Sequence, residues 1–151
     1  MTYRIQRLRS GDITLTHGLL TAFDHAFEDP AAYSSKRPSA EYLNQLLANP
    51  TFIALVALKG DEVVGGLAAY ELQKVEQERS EIYIYDLAVL EAHRREGIAT
   101  ALINSLRAIG RERRAYVVYV QADPPDAPAV ALYTKLGTRE DVYHFDIELE
   151  E

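Results

Sequence analysis

Residues Asp86 to Thr100 combine charged side chains with one glycine in an order that suits ligand binding and catalysis. An apolar run, Ile82 to Tyr85, leads into this stretch, and apolar residues at helical spacing follow Gly97. The pattern predicts a strand, a short basic loop and a helix. Unpaired N–H groups at a helix N-terminus attract anions, and a glycine lets the backbone approach them closely. This stretch therefore predicts a site for a phosphorylated ligand.

Gly97 is the only glycine of this loop, which separates the loop from two common phosphate-binding motifs. The P-loop requires a Gly-Lys pair, and the dinucleotide fingerprint requires three glycines. What remains is Arg-x-x-Gly-x-Ala, which begins at Arg94, five residues after Val89. Arg94 and Arg95 add positive charge, and Thr100 adds a hydroxyl. The structural alternative is a loop that only caps a helix.

Alternating and helical patterns in the rest of the chain predict the elements that position this loop. The order β-α-α-β-β-β-α-β-α-β predicts an α/β (α+β) fold, a mixed sheet with helices on both faces. We expect one domain, residues 1–151. The predicted strands cover residues 2–8, 51–58, 62–72, 81–89, 115–122 and 142–149. The predicted helices cover 13–27, 97–113 and 128–137, with a further helix that begins after Ser39 and stops before Pro50.

Composition excludes several classes of function. The 151 residues are 48% hydrophobic, which suits a compact domain with a real core, and cysteine is absent, which excludes thiolate metal sites and a Cys nucleophile. The net charge of −7 disfavours nucleic acid and anionic membranes and favours cationic partners. His17, His25 and His144 show no metal-ligand spacing, so no metal is expected. Without an apolar signal-like or membrane-length run, we expect a soluble, cytoplasmic protein.

Two stretches resemble the GCN5-related N-acetyltransferases (GNAT). The loop from Arg94 resembles the family's acetyl-CoA pyrophosphate loop, and residues 129–137, Ala-Val-Ala-Leu-Tyr-Thr-Lys-Leu-Gly, resemble its second conserved stretch. The resemblance implies the GNAT fold with a mixed, mostly antiparallel central sheet, and acetyl-CoA as cofactor. It also implies that Tyr133 lies near the sulfur of CoA and protonates the leaving thiolate; the structural alternative is a core tyrosine. The implied cofactor-binding residues are Leu87, Ala88, Val89, Arg94, Arg95, Glu96, Gly97, Ile98, Ala99 and Thr100.

A closer resemblance is to the aminoglycoside 3-N-acetyltransferases of the first type, which confer gentamicin resistance. It extends from about Tyr33 to Ile147 and is weaker in the first helix. Departures at Pro124-Pro125 and in residues 74–78 leave the drug spectrum open. A homodimer is the family expectation. The stretches that carry this likeness are residues 51–55, 80–89, 97–104, 119–123, 129–137 and 144–147.

Asp86 is the candidate general base. Acetyl transfer to an amine requires a neutral nitrogen, and amines are mostly protonated at neutral pH. Asp86 interrupts an otherwise apolar strand, where a carboxylate is costly unless it is paired or functional, and burial would raise its pKa. The alternatives are a structural Asp bonded to backbone N–H groups and a carboxylate that only attracts the cationic amine.

The transition state also requires a donor aimed at the developing oxyanion. Backbone N–H groups from Leu87 to Val89 are the natural choice, because the family splays its strands at this point and pairs pantetheine with the same edge. No Cys is present, and no Ser or His stands out as a nucleophile. Direct transfer in a ternary complex is therefore expected rather than an acyl-enzyme.

An aminoglycoside carries several cationic amines, so its site requires several carboxylates. The resemblance therefore implies an acetyl-CoA-dependent aminoglycoside 3-N-acetyltransferase. One alternative is an acetyltransferase for another amine, such as a polyamine or a protein amino group. The other is a non-catalytic acyl-CoA-binding module, against which Asp86 and Tyr133 argue. The candidate substrate-binding acids, any one of which could instead be a solvated surface residue, are Glu28, Asp29, Glu81, Asp123, Asp126 and Asp146.

Overall fold

The computed structural model describes residues 2–27 and 36–150. These residues fall into two compact units, Met1–Gln121 and Ala122–Glu151. The first unit contains a 3-10 helix at Glu91–His93 and eight regular elements; the second contains one helix. In chain order the elements are β1 (Arg4–Arg7), α1 (Ile13–Phe27), α2 (Ala40–Ala48), β2 (Phe52–Lys59), β3 (Glu62–Gln73), β4 (Ser80–Val89), α3 (Ile98–Glu112), β5 (Ala115–Val120) and α4 (Ala127–Leu136).

The strands form one mixed sheet in the order β1-β2-β3-β4-β5. The first three pairs are antiparallel, and β5 runs parallel to β4. A parallel pair requires a crossover connection, which α3 supplies. The hairpin between β2 and β3 turns at Gly60, whose φ of +60° favours glycine. The predicted mixed, mostly antiparallel sheet is confirmed.

Helices cover both faces of the sheet. On one face, Leu19 and Phe23 of α1 and Leu47 of α2 form a buried cluster with Phe52 and Ala88 of the strands. The α3 helix packs on the other face, where Ile82 of β4 lies against its last turns. Ile82 is fully buried, as expected for a strand that is covered on its inner face. The two helical layers hold β4 and the segment after it in a fixed position.

Local signals place the helix ends as expected. The Ser39 side chain accepts a hydrogen bond from the N–H of Tyr42 at 3.1 Å and caps α2. Pro128 lies in the first turn of α4, and Gly137 ends that helix. These caps supply partners for backbone groups that have none inside the helix.

The predicted final strand, Val142 to Leu149, is wrong. Residues 138–150 have no regular secondary structure. The apolar side chains at Val142, Tyr143, Phe145, Ile147 and Leu149 are 68–95% exposed. Alternation favours a strand only when a neighbouring strand supplies backbone hydrogen bonds and a core to cover one face. The second unit offers no strand among its described residues.

No helix in the described ranges combines the length and apolar character needed to cross a membrane.

Candidate active site

Asp86 lies directly after a β-bulge in β4. Ile84 pairs with Ala69 and Asp86 pairs with Ala68, so Tyr85 is an extra residue without an opposite partner on β3. A bulge re-aims the side chains beside it. Asp86 therefore faces the same side of the sheet as Ala68, the side that α1 and α2 cover. Its side chain is half-buried, less than the full burial that the apolar strand suggested.

Strands β4 and β5 part beside Asp86. Their pairing ends at Ile84 and Val120, whereas β4 continues to Val89. From Tyr85 onward, β4 has no strand neighbour on its β5 side in the described part of the chain. Strand edges without a neighbour present N–H and C=O groups for pairing with another molecule. The expected splay thus exists, and it leaves Leu87 to Val89, where oxyanion and pantetheine contacts are predicted, without a strand partner on the β5 side in the described part of the chain.

The loop before α3 presents its backbone N–H groups. Gly97 has φ +79° and ψ +12°, a left-handed conformation in which a side chain would be strained, and α3 has no side-chain cap. A Cβ at Gly97 would meet only the Tyr3 hydroxyl, at 3.9 Å. The first N–H groups of a helix have no partner inside the helix, and no side chain caps those of α3. The loop is therefore an open cradle of donors that fits an anion.

Charges around the loop favour an anion as well. Arg94 donates from Nε to the Val89 carbonyl at 3.1 Å, which anchors its guanidinium beside the end of β4. The acidic side chain of the loop, Glu96, forms a 2.8 Å ion pair with Lys59 of β2. The hydrogen bond from Lys59 lowers the pKa of Glu96, and the charges of Lys59 and His93 lower it further. Lys59 thus neutralises the negative charge of Glu96 in the loop that presents the N–H donors.

A cleft of about 490 Å³ adjoins this loop. It is lined by His25 and Ala26 of α1 and by Leu90, Glu91 and Arg94. His93 has a buried Nδ1 without a hydrogen-bond partner in the described part of the chain. The cleft beside Arg94 and the open side of Gly97 together fit a phosphorylated ligand.

The candidate substrate-binding acids are in different places. Glu28 and Asp29 lie outside the described residues. Glu81 lies on β4 in the first unit, accepts a 2.9 Å hydrogen bond from the Tyr116 hydroxyl and lies 3.5 Å from Lys74. In the second unit, Asp126 caps α4 through Ala129. The remaining two are Asp123, which is exposed, and Asp146, which lies 2.7 Å from Nε2 of His144.

Tyr133 lies on α4 and is half-buried. Burial raises the pKa of its hydroxyl to about 12, with a smaller contribution from the charge of Asp126. The hydroxyl is therefore fully protonated throughout the neutral range. For the predicted role, donation to a leaving thiolate, this is the required protonation state.

Sequence reasoning missed Lys59 and the tyrosines around Asp86. Lys59 is distant in sequence from Glu96, and only the hairpin between β2 and β3 brings it to the loop. The tyrosine pattern was visible, since Tyr83 and Tyr85 alternate with isoleucines, but the pattern reads equally well as ordinary strand composition. No group of metal-ligating side chains occurs among residues 2–27 and 36–150.

Comparison with known proteins gives a consistent result. Residues 19–138 match the acetyltransferase (GNAT) family. The chain is similar to the crystal structure of the aminoglycoside acetyltransferase HMB0005 from an uncultured soil metagenomic sample. The identity is 55%, the TM-score is 0.97, and the match covers 99% of this chain and 100% of that one. It is also similar to the aminoglycoside acetyltransferase meta-AAC0020, solved in complex with sisomicin, at 33% identity and a TM-score of 0.90. That match covers 98% of this chain and 97% of that one.

Curated relatives match over shorter stretches. The N-alpha-acetyltransferase of Sulfurisphaera tokodaii is 33% identical over an aligned length of 90, and the match covers 52% of this chain and 54% of that protein. N-acetyltransferase 8B of Rattus norvegicus is 29% identical, and the match covers 60% of this chain and 40% of that protein. The chain thus spans about half or less of the length of the curated relatives it matches.

Proposed function

Because the chain belongs to the acetyltransferase (GNAT) family, we propose that it transfers the acetyl group of acetyl-CoA to the 3-amino group of an aminoglycoside. The observation that carries this proposal is the likeness to HMB0005, 55% identical over 99% of the chain. The likeness to meta-AAC0020, whose structure contains sisomicin, supports the same substrate class. The choice of the 3-amino group rests on the sequence stretches that resemble the first type of 3-N-acetyltransferase.

On the donor side, residues 94–100 would hold the pyrophosphate of CoA. No side chain caps the first N–H groups of α3, and the left-handed Gly97 keeps a Cβ out of the way. Arg94 adds positive charge, and Lys59 compensates Glu96. The Glu96 side chain is occupied by this ion pair, so Glu96 would bind the pyrophosphate through its backbone N–H. When bound, acetyl-CoA supplies an acetyl group activated as a thioester.

On the acceptor side, Asp86 would receive the cationic amine and take its proton. Its carboxylate is half-buried at the point where β4 and β5 part. An amine bound to Asp86 would therefore lie next to the unpaired edge of β4. Charge-assisted hydrogen bonds to a carboxylate are about twice as strong as neutral ones. The N–H groups of Leu87 to Val89 would orient the acetyl carbonyl, and Tyr133 would donate its proton to the leaving sulfur.

Direct transfer in a ternary complex follows from the same residues. The sequence contains no cysteine, and no serine or histidine stands out as a nucleophile activated by a base. We therefore expect sequential kinetics in which both substrates bind before CoA leaves. Ping-pong kinetics would contradict this mechanism.

A second candidate activity is acetylation of a protein N-terminus. The match to the Sulfurisphaera tokodaii N-alpha-acetyltransferase is the observation that favours it. The two activities require different clefts, because a ring-shaped polycation needs several carboxylates and a peptide needs main-chain partners. A polyamine acceptor would resemble the aminoglycoside case in its need for carboxylates.

Thiol release from acetyl-CoA separates these functions. Gentamicin, sisomicin, spermidine and short peptides with free N-termini would be compared at matched concentrations. We expect turnover with the aminoglycosides that Asp86→Asn lowers at least a hundredfold, a typical contribution of general base catalysis. Asp61→Asn, the same change in the exposed turn after β2, is the matched control and should retain full activity. Turnover with peptides alone would overturn the aminoglycoside proposal, and acetyl-CoA binding without thiol release from any amine would indicate a binding module.

Resistance is expected if the drug is acetylated in cells. Expression in an aminoglycoside-sensitive bacterium should raise the inhibitory concentration of gentamicin, and expression of Asp86→Asn should not.

A further inference from the structure

Four aromatic residues occupy paired positions on four neighbouring strands, on the face of the sheet that carries Asp86. Phe52, Tyr70, Tyr83 and Tyr119 are directly opposite one another on β2, β3, β4 and β5. The ring centroids of Phe52 and Tyr70 are 5.3 Å apart, and those of Tyr83 and Tyr119 are 4.8 Å apart and stacked. The line ends at a buried ring on β2 and at a half-buried ring on β5.

Tyr85 joins this line at the bulge beside Asp86. Its ring contacts Tyr70 edge-on at 6.2 Å and Tyr83 edge-on at 5.7 Å. The extra residue in β4 thus places Tyr85 on the same face as Asp86 instead of the opposite one. We call these five residues, Phe52, Tyr70, Tyr83, Tyr85 and Tyr119, the aromatic row.

The exposure of the aromatic row rises towards Asp86. Phe52 is 9% exposed, Tyr70 is 36% exposed and Tyr85 is 64% exposed. A cross-strand aromatic pair that only stabilises a sheet is best served by covered rings. Here Tyr85, which precedes Asp86 in the chain, is the most open of these three rings, and this leaves an aromatic surface at the place where an acceptor must bind. Exposed apolar patches of this kind mark binding sites.

Electrostatics make this surface attractive to a cation. The Tyr83 hydroxyl donates a 3.0 Å hydrogen bond to Oε1 of Gln121, which fixes its ring. Burial raises the pKa of Tyr83 and Tyr70, and the charge of Asp86 contributes to both shifts. The hydroxyls therefore stay protonated at neutral pH and the rings keep their negative faces. An ammonium near Tyr85 would gain from ring faces and from Asp86 together.

We propose that the aromatic row is an acceptor subsite in which Tyr85 and Tyr70 hold the apolar face of an amino-sugar ring and keep its ammonium beside Asp86. Packing of the sugar's apolar C–H face against the aromatic rings positions the substrate, and cation–π attraction selects a charged one. Tyr85 is then the residue that determines specificity for aminoglycosides over flexible amines, which have no ring to stack. This proposal rests on the proposed function, because it names how the same site recognises its acceptor.

The experiment compares Tyr85→Leu and Tyr85→Phe in the full-length protein. The sisomicin dissociation constant would be measured by calorimetry, and KM for sisomicin and for acetyl-CoA by thiol release. We expect Tyr85→Leu to weaken sisomicin binding and raise its KM about three- to thirtyfold, the range of a desolvated cation–π contact. KM for acetyl-CoA should not change. Tyr85→Phe keeps the ring and should stay within about twofold of the wild type.

Tyr143→Leu is the matched control. Tyr143 is 89% exposed and makes no ring contact among the described residues, so its loss should leave sisomicin binding unchanged. A purely structural role for Tyr85 would instead lower the melting temperature of Tyr85→Leu without moving KM for sisomicin. That result would overturn the proposal.

The outcomes also separate this proposal from the proposed function. Turnover of sisomicin with equal KM in wild type and Tyr85→Leu would refute the subsite and keep the acetyltransferase assignment. Sisomicin binding without acetylation, weakened in Tyr85→Leu, would keep the subsite and refute the assignment. No sisomicin binding by the wild type would refute both.

Discussion

Gly97 permits a quantitative test of the anion-binding loop. Its φ of +79° lies in the left-handed region, and a Cβ there would have only the Tyr3 hydroxyl within 4 Å, at 3.9 Å. In Gly97→Ala, the protein itself therefore suffers conformational strain without a steric clash. That strain is about 1–2 kcal/mol, which lowers the melting temperature of a chain of this length by roughly 2–8 °C.

The effect of Gly97→Ala on ligand binding should be larger than its effect on folding. The new methyl group projects into the open side of the loop, where the phosphates of acetyl-CoA would contact the N–H groups. Loss of one charge-assisted hydrogen bond costs about 1.5–3 kcal/mol. We therefore expect KM for acetyl-CoA to rise roughly ten- to a hundredfold, with little change in KM for the acceptor. Steady-state thiol release with acetyl-CoA varied measures this change.

Gly60→Ala separates strain from ligand exclusion. Gly60 has φ +60°, also has open space around it, and lies in the hairpin turn after β2. The two variants should lose similar stability, and only Gly97→Ala should lose affinity for acetyl-CoA. Equal KM for acetyl-CoA in both variants would refute the assignment of this loop to the cofactor.

Three further predictions concern charges around the two substrates. Lys59→Met leaves the Glu96 carboxylate uncompensated beside the cofactor phosphates, so like-charge repulsion should raise KM for acetyl-CoA. The double variant Lys59→Met/Glu96→Gln should restore KM, and no rescue would contradict this explanation. Because the pKa of Tyr133 is raised to about 12, absorbance titration of wild type and Tyr133→Phe from pH 8 to 11 should coincide, and an extra ionisation near pH 10 in the wild type would be inconsistent with it. The same shift means that Tyr133 contributes stability that is fully present below pH 10 and lost as pH rises through 12. Asp126→Ala should cost about 1 kcal/mol of α4 capping without altering KM for aminoglycosides, whereas a raised acceptor KM would show that Asp126 binds substrate.

The segment that runs from β4 through the loop into α3 was predictable because its sequence signals are local. Alternating apolar residues, the glycine and the helical spacing after it all lie within residues 82–109, and each constrains the backbone directly. The same is true of the caps at Ser39 and Gly137. Features that depend only on residues close together in sequence can therefore be predicted without knowledge of the tertiary structure.

Features that depend on pairing between distant strands were not predictable. The bulge at Tyr85 arises from register between β3 and β4, and one inserted residue decides which face Tyr85 and Asp86 share. The Lys59–Glu96 ion pair joins the end of β2 to the loop before α3, which are far apart in sequence. The failed strand at 142–149 shows the converse, since alternation without a partner strand leaves its apolar side chains exposed.

The position of the new acetyl group on the drug distinguishes the proposed 3-N-acetyltransferase from other acetyltransferases. Purified protein would be incubated with sisomicin and acetyl-CoA, and the product would be analysed by mass spectrometry and two-dimensional NMR. We expect one added acetyl group, on the 3-amino group. An acetyl group on any other nitrogen would contradict the proposed regiospecificity, and an unmodified drug beside active protein would contradict the substrate.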